Sequence, residues 1–170
     1  MAGTFSKIRV LFVDDNMHMR TLMRSLLNAL GVTQLADASD GGHAFAVMNE
    51  FKPDIVITDL TMEPVDGIEF TRMVRSRKDS TNPFVPIIMV TGHTERSRVE
   101  AARDAGVTEF IAKPITVQNL TGRLNQIIER PRPFIRSDTY IGPDRRRRNR
   151  ADEHDGPWRR HDDRETVSEK

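Results

Sequence analysis

The stretch that decides the fold is IVITD at residues 55–59, in which three aliphatic residues and a threonine precede an aspartate. A second stretch of the same kind, IIMVT, lies at residues 87–91. Both runs are apolar almost without interruption, whereas a strand with one wet face alternates apolar and polar residues. The two runs therefore indicate central strands of a parallel sheet that is covered by helices on both faces.

Outward from these runs, five short apolar segments alternate with five helical patterns over about the first 130 residues. The predicted strands are Ile8–Val13, Thr33–Ala38, Ile55–Thr58, Ile87–Val90 and Thr108–Ile111. The predicted helices cover about Met19–Leu30, Asp40–Glu50, Asp66–Arg77, Glu95–Asp104 and Val117–Ile128. This alternation predicts an α/β fold with a doubly wound, five-stranded parallel sheet and five helices.

The fourth predicted helix differs from the others in how little it can bury. Its sequence, ERSRVEAARD, offers only Val99 and alanines to a core. A thin apolar stripe is typical of a shallowly packed helix that is free to shift, and equally of an ordinary peripheral helix. The composition does not decide between the two.

Apolar residues are unevenly spread along the 170 residues, of which 37% are hydrophobic. The last forty contain only a few of them, namely Phe134, Ile135, Tyr140, Ile141, Ala151, Trp158 and Val167. A segment with so little to bury does not form a packed core. We therefore predict one domain over residues 1–130, followed by a charged, irregular and disordered extension over residues 131–170.

Composition also excludes several classes of protein. There is no cysteine, which rules out disulfides and thiolate metal sites, and the net charge of +1 does not indicate nucleic acid as a partner. The start, MAGTFSKIRV, lacks the apolar stretch of a secretion signal, and no run reaches membrane-spanning length. We expect a cytoplasmic protein that has no membrane partner.

Four of the five predicted strands end in a group that can bind metal or phosphate, namely Asp14 with Asp15, then Asp59, Thr91 and Lys113. The carboxyl ends of strands in a doubly wound sheet meet at one edge, so these side chains are expected to lie together. Three carboxylates in one pocket repel each other unless cations intervene. Lys113 supplies one positive charge, and a hard divalent ion such as Mg²⁺ would supply two more.

This set of groups suits phosphoryl transfer. An ionised Asp59 would attack phosphorus as a nucleophile. Mg²⁺ and Lys113 would neutralise the phosphoryl oxygens, and the Thr91 hydroxyl would donate a hydrogen bond to one of them. Each residue alone is explained more simply as a helix cap, a turn residue or a surface lysine. It is their convergence on one edge that favours a shared chemical function.

Four segments resemble the motif set of the response-regulator receiver family. They are VLFVDDN at residues 10–16, ITDLTMEPVDGIEF at 57–70, IIMVTGH at 87–93 and AGVTEFIAKPI at 105–115. They occur in the order and spacing typical of that family, and the resemblance spans about residues 7–129. It implies a flavodoxin-like fold and a place in bacterial two-component signalling, as a stand-alone receiver.

The resemblance also implies roles for individual residues. Asp59 would be the phosphoacceptor. Asp15, Asp59 and the backbone carbonyl of Thr61 would bind Mg²⁺ directly, and Asp14 would act mainly through water.

Three further residues would form the phosphate-binding and switch machinery. Lys113 would pair with the phosphoryl group and precede a proline in a cis peptide bond. Thr91 would move towards the phosphate, and Phe110 would be the aromatic residue that turns inward with it. The sequence departs from the family at Glu63, where a proline is usual, so the loop that begins at Thr61 is expected to differ in shape.

By the same resemblance, a histidine kinase or a histidine phosphotransfer protein would supply the phosphate. The chain would be a self-phosphorylating switch with autophosphatase activity rather than a dedicated enzyme. It would act on an unidentified downstream protein through its fourth helix, fifth strand and fifth helix. The main rival is a Mg²⁺-dependent phosphatase with an aspartate nucleophile. That chemistry normally needs a D-x-D motif, whereas Asp14 and Asp15 are adjacent.

The segment Phe134–Arg148 is more apolar than a linker needs to be, and three interpretations of it stay open. It docks on a partner or on the receiver itself, or Arg145–Arg150 contacts nucleic acid with Tyr140 or Trp158 stacking on bases, or it is a solvated tail. Nucleic acid is the least favoured of the three. The sequence does not name the kinase, the target, the phosphoryl lifetime or the oligomeric state.

Overall fold

The computed structural model describes residues 5–92 and 97–145. Five strands form one parallel sheet: β1 (Arg9–Val13), β2 (Gln34–Ala38), β3 (Ile55–Asp59), β4 (Ile87–Thr91) and β5 (Glu109–Ala112). Five helices connect and follow them: α1 (Met17–Ala29), α2 (Gly41–Phe51), α3 (Gly67–Ser76), α4 (Val99–Ala105) and α5 (Val117–Glu129). The predicted flavodoxin-like architecture is confirmed.

The strand order β2-β1-β3-β4-β5 places the functional edge of the sheet. From β1 the chain crosses to β2 on one side, while β3, β4 and β5 follow on the other side. Ligands bind in open α/β sheets at such a switch point, beyond the carboxyl ends of the strands. The crevice therefore lies beyond Val13 of β1 and Asp59 of β3.

Both faces of the sheet are packed, which explains the uninterrupted apolar runs. On one face, helices α1 and α5 bury Leu27, Leu120 and Leu124 against alternate residues of the strands such as Phe12 and Ile57. On the other face, helices α2 and α3 bury a second cluster, which includes Phe45, Met48, Phe70 and Val74 packed with Leu11 and Val56. In the described part of the chain, no helix combines the length and the hydropathy of a membrane-spanning segment.

Helix α4 is short and shallow, as its thin stripe indicated. It begins at Val99, and the predicted start at Glu95 lies outside the described residues. Its fully buried side chains are the small ones of Ala102 and Ala105, which pack in a third cluster with Leu60, Ile68, Met89 and Val107. Alanine buries little apolar surface, so packing alone holds this helix weakly.

Residues 131–145 correct the expectation of a disordered extension. They form an antiparallel hairpin of two strands, β6 (Phe134–Arg136) and β7 (Ile141–Pro143). The hairpin is ordered because it packs on the domain: the Phe134 ring meets the Phe84 ring edge-on at 5.8 Å, and Gly142 is buried. The rest of the predicted extension, residues 146–170, lies outside the described residues.

Candidate functional site

Three carboxylates meet at the carboxyl edge of the sheet. Asp14, Asp15 and Asp59 each offer an oxygen, and the three oxygens lie within 4.8 Å of one another. Their exposure differs, since Asp59 is 6% exposed, Asp14 is half-buried and Asp15 is exposed. The structure thus brings together the three aspartates that the strand ends predicted to converge.

The loop after β1 is held in place by backbone contacts. The Asp14 N–H donates to the carbonyl of Ala38 at the end of β2 (3.1 Å), and the Asp14 carboxylate accepts from the Asn16 N–H (2.9 Å). Asn16 in turn caps helix α1, because its side chain accepts from the His18 and Met19 N–H groups. The first two acids are thus fixed between the end of a strand and the start of a helix.

Asp59 and Lys113 form the charged centre of the cluster. The Lys113 Nζ lies 3.1 Å from Asp59 Oδ1, and the same oxygen accepts from the Leu60 N–H at 2.9 Å. The Asp59 side chain is almost fully buried, whereas the Lys113 side chain is about one-third exposed. The ammonium therefore approaches the carboxylate from the solvent side. The Lys113–Pro114 peptide bond is cis, as the resemblance implied.

Of the other predicted residues, Thr91 and Thr61 lie at this edge of the sheet, and Phe110 does not. Thr91 is buried at the last position of β4, and its carbonyl accepts from the Lys113 N–H at 2.8 Å. Thr61 lies exposed two residues after Asp59. Phe110 is half-buried on β5, and the Arg103 guanidinium lies 5.8 Å from the centre of its ring. Phe110 is therefore placed on the α4 side of the domain and not in the acidic cluster.

The crowding of carboxylates is visible in the pKa of Asp14, which is raised to about 6. Burial is the largest cause, and repulsion from Asp59 and Asp15 adds to it. The hydrogen bond from Asn16 and the charge of Lys113 act in the opposite direction but do not outweigh them. Without a further cation, the cluster thus retains a proton well above the usual range of an aspartate.

The donor set fits a small hard cation. Mg²⁺ prefers carboxylate and carbonyl oxygens at about 2.1 Å, so two ligands on opposite sides of the ion are about 4.2 Å apart. Ligands at adjacent octahedral positions are about 3.0 Å apart. The three carboxylate oxygens lie within 4.8 Å of one another, so the cluster is compact enough to converge on one ion. Mg²⁺ keeps several waters in most protein sites, which the exposed position of Asp15 permits.

Comparison with known proteins identifies the family of the chain. The family model of the response regulator receiver domain matches residues 10–125, which is more than half of the chain. The chain belongs to the response regulator receiver family. The chemotaxis protein CheY of Pseudomonas aeruginosa is 35% identical over 123 residues, a span that covers 72% of this chain and 98% of that protein.

Solved structures of receivers share the fold. CheY4 of Vibrio cholerae is 28% identical with a TM-score of 0.63, and the match covers 71% of this chain and 98% of that one. The receiver domain of the sensor histidine kinase PA1611 of Pseudomonas aeruginosa is 26% identical with a TM-score of 0.63, over 70% of this chain and 95% of that one. The PA1611 receiver has a magnesium ion coordinated in its active-site cleft.

Sequence reasoning missed one residue that supports the site. Arg20 of helix α1 donates to the carbonyl of Asp14 at 2.8 Å and pairs with Asp37 at 3.1 Å. It therefore ties the loop of the first two acids to the end of β2. An arginine one turn into a helix is common, so nothing in the sequence singles it out. His93, which follows Gly92 in the sequence, lies outside the described residues.

Proposed function

We propose that this receiver accepts a phosphoryl group on Asp59 and works as a phosphorylation-dependent switch in two-component signalling. The observation that carries the proposal is the cluster of three carboxylate oxygens within 4.8 Å, with the Lys113 ammonium 3.1 Å from Asp59. Family membership supports it, since the cluster lies at the strand ends that carry the receiver motifs.

The proposed step is an in-line displacement. A carboxylate oxygen of Asp59 forms a bond to phosphorus, and the bond from phosphorus to the donor atom breaks. The electron pair leaves with the donor, which then takes up a proton from water. The donor would be a phosphohistidine of a histidine kinase or of a histidine phosphotransfer protein. The expected cytoplasmic location belongs to the same proposal, because kinases draw their ATP from that compartment.

Each neighbour of Asp59 has a part in this step. Asp14, Asp15, Asp59 and the Thr61 carbonyl would hold Mg²⁺, which supplies charge neutralisation for the phosphoryl oxygens. Lys113 stands on the solvent side of Asp59, where it can exchange its contact with Oδ1 for one with a phosphoryl oxygen.

The switch would then be read by another protein. Thr91 ends β4 at the site, and we propose that its hydroxyl turns to the new acceptor oxygens. Phe110 lies one strand away and borders α4, so its ring is placed to pass the change to the surface of α4, β5 and α5. The downstream target stays unidentified, and its binding would be protein–protein. Membrane attachment and nucleic acid do not belong to the proposal.

Intact-mass analysis tests this function. The full chain is incubated with acetyl phosphate and Mg²⁺, and we expect one added phosphoryl group on the wild type and none on Asp59→Asn. Asp54→Asn is the matched control, because Asp54 lies just before the same strand and outside the cluster, so it should be charged like the wild type. A wild type that stays unmodified under conditions that charge another receiver would contradict the proposal. Continuous release of phosphate from a phosphomonoester would instead favour the rival phosphatase.

A further inference from the structure

The C-terminal hairpin docks on the two loops at the end of the domain opposite the acidic cluster. It covers the loop between α3 and β4 and the loop between α4 and β5. At the second loop the two backbones touch: a β-carbon added to Gly142 would lie 2.9 Å from the Cα of Gly106, and one added to Gly106 would lie 2.5 Å from the Ile141 carbonyl. Such a close fit leaves no room for either partner to slide.

A buried arginine lies beneath the hairpin. Arg75 of helix α3 is 3% exposed, and its guanidinium donates to the carbonyls of Gly106, Pro83 and Val85 at 2.6 to 3.1 Å. The Phe134 ring lies 4.9 Å from the guanidinium carbon and covers it. An uncovered guanidinium would be hydrated, so the contact with the Phe134 ring excludes water from Arg75. This contact gives the hairpin a specific docking position on the domain.

Helix α4 is held by small side chains along its length and by polar contacts at both ends. Just before its first turn, Arg98 pairs with Asp66, the cap of α3, at 2.6 Å. Near its last turn, Asp104 pairs with Arg145 of the hairpin at 2.8 Å, and Gly106 follows immediately against Gly142. Between these points Ala102 and Ala105 pack in the third cluster. Because alanine buries little apolar surface, the end contacts add to the forces that fix the position of α4.

The hairpin also shares a cleft with the predicted switch residue. A cleft of about 710 Å³ lies between α4, β5 and the hairpin, and Phe110 and Arg103 line it opposite Arg132, Tyr140 and Arg145. A shift of α4 or of the Phe110 ring therefore changes the surface that the hairpin faces. The described positions of α4 and the hairpin accompany an Asp59 carboxylate whose Oδ1 lies 3.1 Å from Lys113 Nζ.

We propose that the hairpin of residues 131–145 clamps α4 in this arrangement, so that docking of the hairpin and phosphorylation of Asp59 oppose each other. The inference rests on the proposed function. Thr91 ends the strand that leads to α4, and only residues 92–98 separate the two. Met89 of the same strand packs with Ala102 and Ala105 of α4. A rearrangement around Thr91 is therefore passed to α4, where a displacement breaks the close contact at Gly106 and the pair at Asp104. By reciprocity, loosening the hairpin favours phosphorylation.

The test uses Gly142→Ala in the full chain, because the added methyl would lie 2.5 Å from the Tyr140 hydroxyl of the hairpin and 2.9 Å from the Cα of Gly106. It therefore disturbs both the hairpin and its contact with the receiver. Gly122→Ala is the matched control, since a β-carbon there meets no atom within 4 Å. Beryllofluoride with Mg²⁺ serves as a non-covalent phosphoryl analogue. We expect Gly142→Ala to bind it about fivefold more tightly than the wild type, and Gly122→Ala to bind it unchanged.

Hydrogen exchange provides the reciprocal measurement. The Asp144 N–H donates to the Pro133 carbonyl at 2.7 Å and reports closure of the hairpin. Its exchange in the wild type should rise about fivefold when beryllofluoride binds. If Gly142→Ala unfolds the sheet, Arg145→Gln removes the exposed tether instead and should shift affinity in the same direction.

The clamp would be overturned if the wild type and the loosened variant bind beryllofluoride with equal affinity and exchange at Asp144 stays unchanged. That result would leave the proposed function intact. Absence of both beryllofluoride binding and phosphorylation in the wild type would overturn both.

Discussion

Lowering the pH from 7 to 5 is expected to weaken Mg²⁺ binding at the acidic cluster. The pKa of Asp14 is raised to about 6, chiefly by burial and further by the neighbouring carboxylates. A proton on this carboxyl group and a metal ion at the cluster exclude each other, so acid competes with the metal.

The size of the effect follows from that pKa. A carboxyl group with a pKa of about 6 is about 90% ionised at pH 7 and about 10% ionised at pH 5, so the apparent affinity should fall about tenfold. The sign for stability is the reverse of the usual one for an aspartate. Because the pKa in the folded chain is above the ordinary 3.8, the stability that Asp14 contributes is present in acid and is lost as the pH rises through about 6. Added Mg²⁺ should therefore raise the melting temperature more at pH 7 than at pH 5.

Isothermal titration with Mg²⁺ at pH 5, 6 and 7 measures the affinity on the full chain. Asp14→Asn is the decisive control, because it keeps the shape of the side chain and removes the titrating group. Its affinity should be weaker at pH 7 and should not show the fall that Asp14 causes. An unchanged wild-type affinity between pH 7 and pH 5, or an equal fall in the variant, would refute the reasoning.

Three further predictions concern other charges. Arg75→Met is expected to lower the free energy of unfolding by about 2–4 kcal/mol in urea. Two buried carbonyls and one partly buried carbonyl lose their donor, while the cost of burying a charge is recovered. Arg98→Gln should reduce stability at neutral pH but not in strong acid. Burial alone would raise the pKa of Asp66, but hydrogen bonds from the helix backbone and Arg98 leave that pKa lowered. The stability that Asp66 contributes is therefore present above pH 3.8 and is lost as the pH falls through its folded pKa. Thermal melts between pH 3 and 7 measure this loss. Lys113→Gln should slow charging of Asp59 by acetyl phosphate at least about tenfold, as followed by intact mass.

Each of these has a control or a contrary outcome. Arg72→Met changes an exposed arginine of the same helix and should leave stability nearly unchanged. A loss below about 1 kcal/mol for Arg75→Met would mean that the carbonyls find water or other donors. An Arg98 effect that persists at pH 3 would point to packing rather than to the ion pair. Wild-type charging rates in Lys113→Gln would show that the 3.1 Å contact with Asp59 has no part in the transfer.

The central sheet was predictable because its signal is local. Residues 55–59 and 87–91 are apolar runs that both faces of the sheet bury, and the structure places β3 and β4 at those positions. The same topology explains why the convergence of acids at the strand ends could be anticipated. A parallel sheet brings its carboxyl ends to one edge whatever the loops between them do. The fold could therefore be predicted without knowledge of the side-chain contacts.

Docking of Phe134–Arg148 on the receiver was one of the interpretations that the sequence left open. The hairpin itself was not predictable, for the opposite reason. Its strands are three residues each, and its ordering depends on Phe84, Arg75 and Gly106, which are remote in sequence. Composition counted few apolar residues after residue 130 and indicated disorder, although those few are concentrated near the docked strands. Likewise Arg20, which fixes the Asp14 loop, carries no mark in the sequence. Contacts that join distant segments through one or two side chains leave no periodic pattern.

The central claim is that Asp59, among three clustered aspartates, carries the phosphoryl group. Borohydride reduces an aspartyl phosphate to homoserine, so treatment of the charged wild type followed by peptide mapping identifies the modified residue. The proposed function predicts homoserine at position 59 alone, dependent on Mg²⁺ and abolished by EDTA. Homoserine at position 14 or 15, or charged protein without homoserine at 59, would contradict it.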